Sequence, residues 1–242
     1  MGYDIKGKTA LITGANRGIG HATVLTFLEH GIGKIYAGVR DPEKAKPLVE
    51  RYGDIITPLR IDYTDPESIR AAAEKASDTE VVVSSAGLLN GAPVTADDVI
   101  ERFDEEIEVN VRGLLRIARA FGPVLKANGG GAFVQMNSVA SMCSFPDFAT
   151  YPASKAAAYS FTQALRHVFK EQGTVVLSVH PGPIDTDMAK KAGLADKADP
   201  VSVVSEGIVE SLKRGDFHLF PDAMARDMGA VYAEFARKVV ET

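Results

Sequence analysis

A tyrosine and a lysine stand four residues apart in the stretch YPASKAAAY, as Tyr151 and Lys155. In a helix, positions i and i+4 lie on one face, so the phenol and the ammonium would point into the same cleft. A neighbouring cation lowers the pKa of a tyrosine, which would make its hydroxyl a usable general acid or base. Taken alone, however, a half-buried tyrosine with an exposed lysine one turn later is the more common arrangement, so the flanking elements must decide.

Those elements alternate between short β-branched runs and longer stretches of helical period, the pattern of strand–helix–strand units around a parallel sheet. Asp41 and Asp65, each followed by Pro and Glu, predict helix starts, and residues 95–121 predict a long fourth helix. We therefore predict a Rossmann-type, doubly wound α/β fold: a seven-stranded, mainly parallel sheet with helices on both faces, in a single domain over residues 1–242. The predicted strands are 9–14, 34–39, 56–61, 81–86, 132–138, 174–181 and 217–220.

The composition excludes several classes of function. The formal net charge is −5, with acidic and basic residues interleaved, so the chain has no basic stripe for nucleic acid. Its single cysteine, Cys143, and five histidines without ligand spacing predict no disulfide and no metal site. No apolar run approaches the ~18 residues of a membrane span, and no secretory leader is evident. We expect a cytoplasmic protein with no membrane partner.

The first strand ends in TGANRGIG, with glycines at Gly14, Gly18 and Gly20 before a helical segment. Glycines there let the backbone turn sharply and approach a pyrophosphate, while the following helix N-terminus favours negative charge. A glycine triplet by itself can be a structural turn. Because this one closes the first strand and opens a helix, it predicts a dinucleotide-binding domain.

The end of the second strand indicates which dinucleotide is bound. Arg40 stands where a carboxylate would hold the ribose of NAD, and Arg17 in the glycine loop supplies a second cation, so NADP (NADPH) is the predicted cofactor. Asp41 complicates this prediction, but its place before a Pro–Glu pair makes helix capping the simpler interpretation. Either arginine alone could be a solvated surface charge.

These motifs, in this order, resemble those of the short-chain dehydrogenase/reductase family, and the resemblance covers nearly the whole sequence. TGANRGIG is similar to the cofactor loop of the family, SSAG (84–87) to its fourth-strand motif and NVRG (110–113) to its central-helix motif. Ser138 matches its catalytic serine, YPASK its Tyr-x-x-x-Lys motif and HPGPIDTDM (180–188) the segment after its sixth strand. The family usually has Asn where SSAG has Ser84 and Ser85, so an amide that braces the strands near the adenosine is missing.

The resemblance implies four catalytic residues. Tyr151 would exchange the proton with the substrate oxygen, Ser138 would hydrogen-bond that oxygen, Lys155 would lower the pKa of the tyrosine and bind the nicotinamide ribose, and Asn110 would hold a water that relays protons. The residues it assigns to cofactor binding are Gly14, Asn16, Arg17, Gly18, Ile19, Gly20, Arg40, Asp62, Tyr63, Ala86, Gly87, Asn110, Tyr151, Lys155, Pro181, Gly182, Ile184 and Thr186.

The substrate should bind beyond the carboxyl ends of strands four to six. The candidate pocket residues are Leu88, Leu89, Ser138, Met142, Cys143, Phe145, Phe148 and Met188, although loop residues of this kind often form small packing clusters. Their apolar character favours a hydrophobic ketone, aldehyde or secondary alcohol. Cys143 has no cationic neighbour, which favours an inert packing role. A polar loop at about 183–200 could form a mobile lid.

Three functions compete. The first is an NADP(H)-dependent carbonyl reductase or secondary alcohol dehydrogenase that acts on a small molecule. A non-catalytic NADP-sensing regulator could dispense with Tyr151 or Lys155, yet both are present. A 3-oxoacyl carrier-protein reductase would need a basic docking surface, and Lys190, Lys191 and Lys197 are interleaved with aspartates. The resemblance also implies a homodimer or homotetramer that is built from the long helices and includes the face at 156–169.

Overall fold

The computed structural model of the chain describes residues 2–241 and shows seven parallel strands in one sheet, in the order β3-β2-β1-β4-β5-β6-β7. This order reverses direction between β1 and β4, which is the switch point of a doubly wound sheet. The predicted α/β class and strand number are confirmed. The strands are β1 Thr9–Thr13, β2 Lys34–Val39, β3 Ile56–Arg60, β4 Val81–Ser84, β5 Gly131–Met136, β6 Thr174–Val179 and β7 His218–Leu219.

Helices connect the strands and cover the sheet on both faces, so the strands alternate with helices in chain order. They are α1 Gly18–Glu29, α2 Lys46–Tyr52, α3 Pro66–Lys75, α4 Val99–Glu106, α5 Gly113–Ala127, α6 Thr150–Lys170, α7 Asp187–Lys191, α8 Ser202–Arg214 and α9 Ala223–Phe235. Within residues 2–241, no helix is both long enough and apolar enough to cross a membrane.

Two hydrophobic cores sandwich the sheet. One contains Val24 and Phe27 of α1 together with Ile208 of α8, and these side chains pack against strand residues that point the same way. The other contains Phe121 of α5 and Phe169 of α6, which pack against the opposite face. Because both faces are covered, most strand residues are buried whichever face they point to, as is typical of parallel sheets. The α5–α6 layer fixes the helix that carries the Tyr–Lys pair.

Several strands end earlier than the sequence predicts. The fourth strand stops at Ser84 instead of residue 86, because the N–H groups of Ser85 and Ala86 both donate to the Thr13 hydroxyl, at 2.9 and 3.1 Å, instead of to a neighbouring strand. Strands five and six stop two residues short of their predicted ends as well. The motif residues therefore lie in loops just past the sheet, where they are free to face a ligand.

The two predicted helix starts are confirmed. The Asp65 carboxylate accepts hydrogen bonds from Glu67 N and Ser68 N at the first turn of α3, which satisfies N–H groups that would otherwise lack a partner. The Asp41 carboxylate accepts one from Glu43 N at 3.1 Å, although the first turn there is a 3₁₀ turn that precedes α2. The capping interpretation of Asp41 holds.

The predicted long fourth helix forms one helical stretch from Val99 to Ala127, which changes type in the middle. It begins at Val99, four residues later than expected, and between α4 and α5 the backbone widens into a π-helical segment, Ile107–Arg112. Such segments insert an extra residue into the helix and are frequent at functional sites. Asn110 lies within this one, so the widened turn sets the position of its amide.

The C-terminal helix is tied to the sheet by a buried aspartate. Asp222 is 1% exposed, and its Oδ1 accepts from Ala225 N at 3.0 Å to cap α9. Its Oδ2 accepts from Gly182 N at 2.7 Å, in the loop that follows β6. One carboxylate therefore holds both a helix start and the turn at Pro181–Gly182.

We expect Asp222→Ala to lower the free energy of unfolding by about 2–3 kcal/mol, because it removes a helix cap and leaves two N–H groups unpaired. Denaturant unfolding measures the change. Asp227→Ala on the exposed face of the same helix is the matched control and should stay within about 0.5 kcal/mol of the wild type. An Asp222→Ala protein as stable as that control would contradict the tethering role.

Candidate active site

The glycine loop forms a cradle that side chains would fill. A Cβ on Gly20 would lie 2.3 Å from Gly14 O, and one on Gly14 would lie 3.6 Å from the Ala86 backbone. Gly14 and Gly18 both have positive φ, at 67° and 54°. Only glycine adopts that backbone without strain, so the loop keeps its close turn and its open surface because these residues are glycines.

The helix that follows this loop has an open N-terminus. Arg17 is its N-cap residue, and its side chain makes no capping hydrogen bond. The first N–H groups of α1 therefore face the cradle without a side-chain partner, which is the arrangement that binds phosphate oxygens. Asn16 is exposed, and Ile19 is half-buried against the core.

The two arginines predicted to select NADP are both exposed, Arg17 at the start of α1 and Arg40 directly after β2. The ion pairs formed within residues 2–241 include neither guanidinium. Both are therefore available to an anionic ligand. Asp62, one of the residues assigned to cofactor binding, is half-buried, and its Oδ1 accepts from Thr64 N and Oγ1 at 2.9 and 2.8 Å.

Three hydroxyl groups do the bracing that the missing amide would have done. Tyr63 Oη lies 2.8 Å from Thr13 Oγ1 and 2.8 Å from Ser84 Oγ, and the Thr13 hydroxyl also accepts from Ser85 N and Ala86 N. The network ties β1, β4 and the loop after β3 together below the cradle. Tyr63 is 5% exposed, so its side chain lies in the core.

The Tyr–Lys–Ser group converges at the carboxyl ends of β5 and β6. The Lys155 ammonium is buried, donates to Met136 O at 3.0 Å and lies 5.8 Å from the centre of the Tyr151 ring. The Ser138 hydroxyl donates to Pro181 O at 3.3 Å and interacts with the Tyr151 phenol. Tyr151 and Lys155 thus share one face of α6, as their spacing predicts.

Burial dominates the electrostatics of this group. It raises the pKa of Tyr151 to about 12, against the opposing effect of the Ser138 hydroxyl, and it lowers the pKa of Lys155 to about 8. The expectation that the lysine brings the tyrosine pKa towards neutrality is therefore wrong for the chain alone, because desolvation of the phenol outweighs the effect of a cation at this distance. Tyr151 holds its proton at neutral pH, and Lys155 is mostly cationic.

Asn110 anchors the loop that follows β4. Its Oδ1 accepts from Leu88 N at 2.9 Å, and its Nδ2 donates to Leu88 O at 2.8 Å and to Ser154 Oγ at 2.9 Å. A Cβ on Gly87 would lie 3.3 Å from Asn110 Oδ1 and 3.6 Å from Lys155 Nζ. Gly87 therefore keeps the space in front of both side chains open.

The loop after β6 brings Thr186 over the glycine cradle. A Cβ on Gly18 would lie 3.2 Å from the Thr186 methyl group, which places this threonine beside the start of α1. Ile184 is buried and pairs with Asp199 through the backbone. Backbone hydrogen bonds therefore join the two ends of the segment predicted as a lid. Thr186 caps the short helix α7 inside that segment.

The predicted substrate residues differ in how far they are exposed. Leu88, Leu89 and Phe148 are half-buried, and Met142 packs against the second core. Cys143 is exposed, so its expected packing role is wrong, and Phe145 and Met188 are 38% and 37% exposed. Two hollows of about 150 and 200 Å³ lie elsewhere, one between α4 and the start of α6 and the other beside β3.

Comparison with known proteins identifies the family. The sequence matches the profile described as short chain dehydrogenase over residues 8–197. The chain belongs to the short-chain dehydrogenase/reductase family. It is an oxidoreductase of that family, whose members use nicotinamide cofactors.

A short chain dehydrogenase of Monascus ruber, pigC, is 33% identical over 199 residues, which cover 76% of this chain and 65% of that protein, just under two thirds of its length. A short chain dehydrogenase from Burkholderia cenocepacia J2315, solved in complex with NADP, is 33% identical with a TM-score of 0.88 over 98% of this chain and 99% of that one. A family member from Burkholderia phymatum in complex with NAD shares the fold, with 20% identity and a TM-score of 0.84 over 97% and 96% of the two chains.

Some residues of this site were not predicted from the sequence. Thr13, Glu106 and Asp222 are buried polar side chains that bond the backbone of the loops after β4 and β6. Their partners are distant in the chain, so no local pattern marks them. In the described part of the chain, no three His, Cys, Asp or Glu side chains group closely enough to hold a metal ion.

We expect Tyr63→Phe to destabilise the protein by about 1–2 kcal/mol while leaving dinucleotide affinity nearly unchanged, because the hydroxyl supports two buried partners but does not reach the cradle. Unfolding in denaturant and titration with NADPH measure the two effects. Tyr52→Phe, whose ring is half-buried on α2, is the matched control for stability. A large loss of cofactor affinity without loss of stability would instead assign the Tyr63 side chain to the cofactor.

Proposed function

We propose that the protein is an NADP(H)-dependent carbonyl reductase or secondary alcohol dehydrogenase in which Tyr151 is the general acid/base. The observation that carries the proposal is the placement of Tyr151 and Lys155 on one face of α6, with the Ser138 hydroxyl acting on the phenol and the ammonium beside Gly87, at the same sheet edge as the glycine cradle. A proton donor, an oxygen-binding hydroxyl and a cation at one point are the groups that reduction of a carbonyl requires.

Each residue has a distinct role in this proposal. Tyr151 donates its proton to the carbonyl oxygen during reduction and recovers a proton from it during oxidation. Ser138 donates a hydrogen bond to the same oxygen and holds it against the phenol. Lys155 stabilises the phenolate that forms when the proton leaves, and Asn110 holds the loop that borders this space. The site works by moving one proton at the tyrosine Oη.

The residues present fit a nicotinamide dinucleotide. The cradle leaves room for a pyrophosphate against the open N-terminus of α1, and the Lys155 ammonium and the Thr186 side chain line the path from that point to Tyr151. The bound dinucleotide would supply or accept the hydride. Pro181 and Gly182 shape the turn that presents Thr186, and Asp222 fixes that turn.

We infer a preference for NADP from the two exposed guanidinium groups. Arg40 directly follows β2, at the position that decides between a ribose hydroxyl and a 2′-phosphate, and Arg17 lies next to the cradle. Asp41, the nearest carboxylate, is occupied as a helix cap. The NADP complex of the Burkholderia cenocepacia relative supports this choice, while the NAD complex of the more distant neighbour shows that the fold accepts either cofactor.

The proposed substrate is a small hydrophobic ketone, aldehyde or alcohol. Leu88, Leu89 and Phe148 are half-buried in the loops that follow β4 and β5, and Met188 lies in α7, after β6. A carrier-protein reductase is less well supported, because Lys190 pairs with Asp185 at 3.3 Å and the basic surface it would need is partly neutralised. Exposed apolar side chains on α5 and α6, among them Phe161 and Val168, support a homodimer or homotetramer.

We expect Tyr151→Phe to lower kcat for NADPH-dependent reduction of carbonyl compounds by about 10²- to 10⁴-fold, because the variant lacks the proton donor. Steady-state kinetics with a panel of aromatic and aliphatic ketones and aldehydes measures this loss, and fluorescence titration should show NADPH binding within about threefold of wild type, since no phosphate contact is lost. Tyr52→Phe should keep full turnover. A Tyr151→Phe enzyme with wild-type kcat would refute the proposed role.

We expect Arg40→Ala to weaken NADPH binding by about 10- to 100-fold and to leave NADH binding unchanged, because the lost charge-assisted hydrogen bonds reach only the extra phosphate. Arg17→Ala should act in the same direction. Dissociation constants for both cofactors measure the effect, with Arg119→Ala on the exposed face of α5 as the matched control. Tighter binding of NADH than of NADPH by the wild type would contradict the assignment.

A further inference from the structure

Three charged side chains other than histidine are buried in the part of the chain from residue 2 to residue 241: Glu106, Lys155 and Asp222. Buried charges are normally paired or fully hydrogen-bonded, because an isolated one is costly. Asp222 meets this condition through Gly182 N and Ala225 N. Glu106 and Lys155 do not meet it through direct hydrogen bonds, and both lie in the layer that forms the wall of the site.

Glu106 is the last residue of α4 and is fully buried. Its Oε1 accepts a hydrogen bond from Asn90 N at 2.8 Å, in the loop after β4. Its Oε2 is also buried and has no hydrogen-bond partner among the described residues. An acceptor in that condition loses hydration that no hydrogen bond at normal distance replaces, so a positive charge nearby would stabilise it.

The Lys155 ammonium is also buried without a full set of hydrogen-bond partners. It carries three donors, of which one is used by Met136 O. Lys155 stands one turn after Thr150 and Tyr151 at the start of α6, and α6 packs directly on α4 and on the π-helical segment. The Thr150 hydroxyl, which accepts from Ala92 N, also approaches the Glu106 carboxyl. The unpaired carboxylate and the unpaired ammonium therefore lie on facing elements.

We propose that Glu106 is a positioning residue of the reaction: its carboxylate is the buried counter-charge that keeps Lys155 a cation. This inference rests on the role proposed above for Lys155. It assigns the two carboxylate oxygens to different tasks. Oε1 holds the loop at Asn90, Oε2 stays free of hydrogen bonds, and the charge that the two oxygens share offsets the cost of burying the ammonium.

The directions of the pKa shifts in the site agree with this geometry. Burial lowers the pKa of Lys155 to about 8, and the negative charge of Glu106 opposes that fall. In return, the charge of Lys155 opposes the rise that burial causes in the pKa of Glu106. The same carboxylate adds to the high pKa of Tyr151. Removing the charge of Glu106 should therefore lower the pKa of Lys155.

Other ionisable groups near this pair are few. On α4, Arg102 pairs with Asp98 and slightly stabilises the Glu106 carboxylate, while Glu105 is exposed and accepts from Asn90 Nδ2. Behind Lys155, burial lowers the pKa of His180 to about 3, so that ring stays neutral. Together with Tyr151, which keeps its proton, these are the titratable groups that face the pair from the elements packed against it.

Glu106→Gln tests the inference, because the amide oxygen still accepts from Asn90 N while the charge is removed. In the protein without cofactor, NMR titration of ¹³C-labelled lysine side chains, with the Lys155 signal assigned by its loss in Lys155→Met, should show the Lys155 pKa falling by about one unit. Glu105→Gln removes the adjacent, exposed carboxylate and should shift this pKa by less than about 0.2 unit.

The reaction provides a second readout. If Lys155 must be charged for reduction, kcat should begin to fall about one pH unit lower in Glu106→Gln than in the wild type when it is measured against pH. At a fixed alkaline pH beyond that point, kcat of the variant should be up to about tenfold lower than that of the wild type. An unchanged lysine pKa in Glu106→Gln would overturn the inference. Glu106 would then only hold the loop at Asn90, and Glu106→Ala, but not Glu106→Gln, would lose activity. A wild type inactive on every carbonyl compound would refute the proposed function, yet the lysine titration would still decide this inference.

Discussion

Burial of the Lys155 ammonium is the constraint that organises this site. An ammonium removed from water loses several kcal/mol of hydration, and a protein keeps such a group only where nearby oxygens and charges offset that loss. The carbonyl of Met136 at the end of β5 is one such group, and the carboxylate of Glu106 is placed to be another. The small side chains around Lys155 on α6 allow the helix to lie against these partners without exposing the charge.

The parallel sheet makes this arrangement possible, because it delivers the carboxyl ends of β1, β4, β5 and β6 to one edge. The loop after β4 crosses that edge in an extended course and is held at alternate residues: Leu88 by Asn110, Asn90 by Glu106 and Ala92 by Thr150. In an extended backbone, the main-chain groups of alternate residues point to the same side. Side chains of the neighbouring helices can therefore hydrogen-bond to every second residue of the loop. One of the side chains that fix this loop is Glu106, to which we also assign an effect on the charge of Lys155.

Local patterns explain what could be predicted from the sequence. The Tyr151–Lys155 spacing, the glycine loop and the Asp65 cap are each defined by residues within one turn of the chain, and the apolar runs identify the seven strands. The Thr13–Tyr63–Ser84 network and the Asp222–Gly182 bond join residues far apart, so no spacing marks them. Strand ends and the π-helical turn at Asn110 are also settled by side-chain partners from other elements. For the same reason, the sequence predicts the shift of the Tyr151 pKa in the wrong direction. The spacing reveals the neighbouring cation of Lys155, but it does not reveal the burial, whose effect on the pKa is larger.

Desolvation acts on Tyr151 and Lys155 in a way that suits one direction of the proposed reaction. It holds the proton on Tyr151, with a pKa of about 12, and it makes Lys155 easier to deprotonate, with a pKa of about 8. A phenol that keeps its proton near neutral pH is ready to act as an acid, and the lysine charge is then most valuable as the phenolate forms, since a cation stabilises that state more than the neutral phenol. As a base, the same tyrosine would first have to lose a proton that the buried site retains. On the proposal that Tyr151 is the general acid/base, the electrostatics of the chain therefore favour proton donation to a carbonyl over proton removal from an alcohol near neutral pH. Phenolate forms only well above the pH at which Lys155 loses its charge, since the two pKa values are about 12 and about 8.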